Sequence, residues 1–112
     1  MINNNDFGGF IVSTNITLGI PIKYSYREQS SIQQLNGWNL LSEIDDDDYI
    51  QDANNFKILN MESVMKLASV MYELFNAPYG TDLLWVYEEG VLTGFYDLKS
   101  QKEMTIKEII IG

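Results

Sequence analysis

The chain contains no cysteine and no histidine. Without cysteine there is no disulfide scaffold, thiolate zinc site, cysteine nucleophile or redox motif. Without histidine, the commonest general base, the Ser-His-Asp triad and imidazole metal ligands are gone as well. Glycine is present but not arranged for phosphate. Gly8-Gly9 stands alone, and neither G-x-x-x-x-G-K-[ST] nor G-x-G-x-x-G occurs. Long apolar runs are missing. Leu83 to Tyr87 and Ile109 to Ile111 fall far short of the ~20 residues a membrane span needs. Residues 1–12 lack a basic segment followed by a long apolar core, so no signal peptide is expected, and zero cysteine fits a cytoplasmic protein.

Positive charge is scarce too. Lys and Arg total 7 against 16 Asp and Glu, a net charge of −9. That balance opposes nucleic-acid phosphates and anionic lipid, so neither nucleic acid nor a membrane is expected as partner. It favours rapid encounter with a basic protein. Apolar residues make up 46% of the 112 residues and charged residues 21%, which excludes a wholly disordered chain. A chain of this length supports one core, and the expected organisation is a flexible N-terminus over 1–8 and a single domain over 9–112.

Gly9 to Thr14 reads as a strand, with Phe10 and Val12 alternating against Ile11 and Ser13. Gly19-Ile20-Pro21 signals a turn. In Ile22 to Glu28, Ile22, Tyr24 and Tyr26 fall on one side and Lys23, Ser25 and Arg27 on the other. Residues 29–37 read as a loop and Trp38 to Ser42 as a short strand. Asp45 to Asp48 and Asp52 to Asn55 read as a long polar connection broken by Tyr49 and Ile50. Met61, Val64, Met65, Ala68, Met71, Tyr72 and Phe75 recur at helical spacing, which predicts one helix. Asn60 would cap its start, Pro78 forbids continuation, and Asn76 suits a left-handed C-terminal position. The methionines of that face suit core packing better than an adaptable groove. Residues 83–88 and 91–98 form a hairpin about Glu89-Gly90. Residues 105–111 are ambiguous: Thr105 with Glu108 suggests a capping box, whereas Ile109-Ile110-Ile111 prefers strand. The fold class is α+β, a mostly antiparallel sheet with one principal helix packed on one face.

Asp45-Asp46-Asp47-Asp48 is the most conspicuous local feature. Four adjacent carboxylates repel and require solvent or positive charge nearby. An EF-hand needs alternating ligands, a Gly at position 6 and a Glu at position 12. Counted from Asp45, position 6 is Ile50 and position 12 is Phe56, so a solvated or partner-facing loop is the better reading. A hydrolytic carboxylate pair needs two environments that split two pKa values, and no spacing recommends one. Tyr and Trp are plentiful, but stacking on nucleic acid needs a basic groove that the single Arg27 and six scattered Lys do not supply. Most of these rings suit the core, and some an interface. No catalytic residue, cofactor or metal ligand is assigned. Arg27 is read as structural, an ion-pair partner for Glu28 or a nearby Asp.

The order of certain residues says more. Tyr26-Arg27-Glu28, Gly37-Trp38 with Ser42, the acidic run into Tyr49, Asn55-Phe56 with Ile58, and Pro78 with Gly80-Thr81 resemble the immunity-protein-33-like family of bacterial polymorphic toxin systems. The resemblance covers residues 9–88. The chain has Ser42-Glu43-Ile44 where members often show Ser-Gly-Asp, and Leu83-Leu84-Trp85 where an aromatic and a charged pair are usual. The resemblance implies a non-enzymatic immunity protein that binds a cognate toxin, and the family offers no catalytic residues to carry over. Charge suggests how: Glu43, Asp45, Asp46, Asp47, Asp48 and Asp52 would face a basic toxin surface, with Tyr49 and Trp38 as apolar anchors. The alternative is a small-ligand or metal-responsive regulatory module.

Overall fold

A computed structural model describes residues 7–111. Residues 1–6 of the expected flexible N-terminus lie outside the described residues. Phe7 is already packed, its ring centroid 5.0 Å from Phe75 and 5.7 Å from Tyr72. Seven strands form one sheet: β1 (Gly9–Ser13), β2 (Ile22–Arg27), β3 (Leu35–Ser42), β4 (Phe56–Leu59), β5 (Asp82–Glu88), β6 (Val91–Asp97) and β7 (Lys102–Met104). Their spatial order is β4-β1-β3-β2-β5-β6-β7, and every adjacent pair is antiparallel except β1 with β3. The helices are α1 (Asp47–Ile50), α2 (Met61–Leu67), α3 (Met71–Leu74) and α4 (Ile106–Ile111), with a 3₁₀ turn at Ala53–Asn55. The α+β class with a mostly antiparallel sheet therefore holds.

The expected single helix over 61–75 is two. Asn60 caps α2 by accepting from the Ser63 N–H at 2.9 Å, as its sequence position suggests. The chain then leaves helical geometry at Ala68 (φ −156°, ψ 94°) and turns before α3. Ser69 and Val70 are weak helix formers, so the break costs little there. The apolar stripe slips across it: Leu74 is fully buried, whereas Tyr72 is 49% exposed. Asn76 does not take the left-handed position; among the described non-glycine residues only Glu89 and Gln101 do. Met61 and Met71 are fully buried and serve the core.

β2 corrects a second expectation. The register shifts between Ile22 and Tyr24, so the alternation inverts. Ile22 and Ser25 face the core, and the Ser25 hydroxyl oxygen accepts from the Trp85 indole N–H at 2.8 Å. Tyr24 and Tyr26 turn to the opposite face. β3 begins at Leu35, inside the expected loop, and β4 and β7 are strands in segments to which the sequence reading assigned no element. Both are short edge strands, set by pairing with β1 and β6 rather than by their own residues. The 83–98 hairpin forms as expected, with Glu89 (φ 51°) and Gly90 (φ 79°) in the turn. At the ambiguous C-terminal segment the capping box prevails. The Glu108 carboxylate accepts from the Thr105 N–H at 3.0 Å, and the Thr105 hydroxyl from the Glu108 N–H at 3.2 Å.

Register separates the two faces of the sheet, because directly paired residues point the same way. One row crosses the covered face: Lys57, Val12, Leu40, Ser25, Leu83, Asp97 and Lys102. Its buried members join Phe10, Trp38, Trp85 and Phe95, and the helices supply Met61, Val64, Met71, Leu74 and Ile109 to the same core. The opposite face carries two rows. Ile58, Ile11, Asn39, Tyr26 and Asp82 form one. Leu41, Tyr24, Leu84, Tyr96 and Glu103 form the other. α2, α3 and α4 pack on the other side, and α1 touches this face at the β4 corner, where Tyr49 is half-buried beside Phe56.

Candidate partner-binding surface

The acidic run starts where β3 ends, and its carboxylates do not behave alike. Asp45 turns inward. It accepts from the Ser42 N–H and hydroxyl at 2.8 Å each and from the Asn15 amide at 2.7 Å. Burial alone would raise its pKa, but hydrogen bonds from Ser42, Asn15 and Ser13 overcome that and hold the carboxyl below its ordinary range. Asp46 caps α1 by accepting from the Tyr49 N–H at 2.8 Å. Asp52 caps the 3₁₀ turn through the Asn54 N–H at 2.9 Å. Glu43, Asp47 and Asp48 are exposed on the turn that these caps shape. Among the described residues no three carboxylates are grouped where a metal ion could sit.

Tyr49 is half-buried. Its hydroxyl hydrogen-bonds Thr14 Oγ1, its carbonyl accepts from the Asn55 side-chain amide at 2.8 Å, and its ring lies 6.4 Å from Phe56. Phe56 alternates with Ile58 along β4 and so belongs to the uncovered face. The acidic turn and that face are thereby continuous at the β4 corner.

Trp38 is elsewhere. It is 0% exposed, on the covered face, and its indole N–H donates to the Phe75 carbonyl at 3.1 Å. Trp38 therefore cannot serve as an anchor on a partner-facing surface; it holds the helical layer to the sheet. Arg27 packs beside it. The guanidinium donates to the carbonyls of Asn36, Phe75 and Ala77 at 3.0, 2.6 and 2.9 Å and lies 4.8 Å from the Tyr79 ring centroid. The structural role expected of Arg27 is present, but these partners are carbonyls rather than Glu28 or an aspartate. Gly37 (φ 90°) completes the junction, since a Cβ there would collide with the Glu28 carbonyl. Sequence reasoning missed Tyr24, Tyr26 and Tyr96 as surface residues. For Tyr24 and Tyr26 the signal was an inverted alternation that only the bulge in β2 explains.

A cleft of about 600 Å³ lies between α4 and β6, lined by Val70, Leu92, Phe95, Met104 and Ile106. Glu108 of its lining is held in the α4 capping box, and Glu103 borders it from edge strand β7, where its register assigns it to the opposite face. No pair of acids in two contrasting environments is formed there.

Residues 10–94 match the family described as Immunity protein Imm33 domain. The chain belongs to that family. No curated protein and no solved structure matches the chain. The Imm33 match runs from β1 into β6 and contains the acidic turn, the Arg27–Trp38 junction and most of both open-face rows. An immunity-protein domain implies a toxin as partner. Among the described residues no helix is long and apolar enough to cross a membrane.

Proposed function

We propose that this chain is a cytoplasmic immunity protein that binds a cognate bacterial toxin and neutralises it by stoichiometric blocking, transforming nothing itself. The Imm33 match over residues 10–94 carries this reading. The charge distribution supports its electrostatic part. A net charge of −9 draws in a basic toxin surface, and Glu43, Asp47 and Asp48 are exposed at one corner of the sheet. Asp45, Asp46 and Asp52 hold the shape of that corner. Charge speeds encounter, and packing of apolar groups sets how long the complex lasts. An ordinary interface of about 800 Å² per partner is a small share of the 7045 Å² the chain exposes.

The test is co-expression with the C-terminal domain of a secreted toxin encoded beside this chain's gene. Growth should be rescued and the two should purify as a 1:1 complex; continued toxicity with no complex rejects the reading. Glu43→Gln/Asp47→Asn/Asp48→Asn should slow association and flatten its salt dependence. An unchanged rate and salt slope would remove the acidic corner from the mechanism.

A further inference from the structure

The uncovered sheet face combines features that a solvated surface does not need. Seven strands about 4.8 Å apart, each some six residues long, present roughly 29 by 20 Å of surface, about 580 Å² and so most of the roughly 800 Å² that one side of an ordinary interface takes. Its middle is aromatic and aliphatic: Leu41, Tyr24, Leu84 and Tyr96 run unbroken across four strands. Tyr24 is 39% exposed and Ile58 67%.

The charge that the strands place on this face has one sign, while Lys99 of the loop after β6 shares a groove with Tyr26 and Asp82 at one edge. Asp82 closes one row and Glu103 the other. The strand cations lie elsewhere. Lys57 and Lys102 sit in the covered-face row, and Arg27 is directed to the carbonyls beneath. The Lys23 ammonium lies 6.0 Å from the Tyr87 ring centroid, and Tyr87 alternates with Trp85 on the covered side. Tyrosine faces attract cations, arginine above all, and acids at the margin strengthen that attraction. Such a surface is complementary to a basic protein and repels a second copy of itself.

We infer that the open sheet face is where the basic toxin domain docks, its cationic side chains lying over Tyr24, Tyr26 and Tyr96 between Asp82 and Glu103. This rests on the immunity reading and names the part of the chain that makes the lasting contact. The acidic turn, joined to the face through Tyr49 and Phe56, then guides approach.

The experiment uses the full chain and a catalytically disabled C-terminal toxin domain encoded beside its gene. Hydroxyl-radical labelling of the wild-type complex needs no substitution. Tyr24 and Tyr96 should be protected and Tyr72, on the helical side, should label as in the free chain. Tyr24→Lys and Tyr96→Lys should each weaken binding by about 30-fold or more, as loss of an aromatic hot spot does, and Tyr72→Lys by less than about threefold. Thermal melts identify any variant that is misfolded, and the labelling decides in that case. Complex formation with Tyr24 and Tyr96 unprotected overturns this assignment and leaves the immunity reading standing. Failure of the wild-type chain to bind removes the immunity reading, and this assignment with it. A dimer of the free chain that the same substitutions dissociate would give the face to a second copy and also overturn it.

Discussion

Asp45 shows how one carboxylate can belong to the scaffold while its neighbours belong to the surface. Its folded pKa is depressed, so the stability it contributes is fully present above the ordinary aspartate value of 3.8 and is lost as pH falls through the lower folded value. Asp45→Asn should cost about 1–3 kcal/mol at neutral pH, because the donors of Ser42 and Asn15 lose a charged acceptor. It should also flatten the acid side of a stability-against-pH curve measured by urea denaturation. Arg27→Lys should cost about 2 kcal/mol, since an ammonium cannot reproduce the planar fork that serves Asn36, Phe75 and Ala77 together. Chemical denaturation measures that loss. The sequence marked these residues as unusual without showing their use. Which member of four adjacent aspartates turns inward depends on Asn15, 30 positions away in the chain. Likewise, the Arg27 partners at Phe75 and Ala77 come from the far end of α3. The Gly-Trp and Arg-Glu pieces that carry the family resemblance meet at this same junction, so part of the recognisable pattern maintains the fold.

Elements whose signals are local were legible. Asn60 before α2, the turn at Glu89-Gly90 and the Thr105–Glu108 box each depend on groups within three or four residues of one another. Glu108→Ala should therefore loosen α4, read as faster hydrogen exchange at Ile109 and Ile110. Gly90→Ala should cost on the order of 1 kcal/mol, because its left-handed backbone disfavours a Cβ, and a melting curve reads it. Other features were not legible for equally physical reasons. One helix or two satisfies the same 3.6-residue spacing, so the bend at Ala68 left no mark on the apolar pattern. β4 and β7 have too few residues and too many charges to declare themselves. They are strands because β1 and β6 offer them unpaired backbone groups.

At the scale of the whole molecule, composition and residue pattern announced an acidic α+β fold but not which side of its sheet is bare. That depends on where α2, α3 and α4 land, and on a one-residue shift in β2 that exchanges Tyr24 for Ser25. With the charge so one-sided, association with the toxin should slow on the order of tenfold as salt screens the approach. Dissociation should change little. Stopped-flow mixing at several ionic strengths separates the two rates.

The parallel pairing of β1 with β3, with β4 on its other side, dictates a timetable. β1 has neither neighbour until Leu35–Ser42 and then Phe56–Leu59 have been synthesised after it. Closing such long loops is entropically slow. The β4–β1–β3 edge of the sheet therefore closes only after Phe56–Leu59 has been made, however early β1 is available to pair.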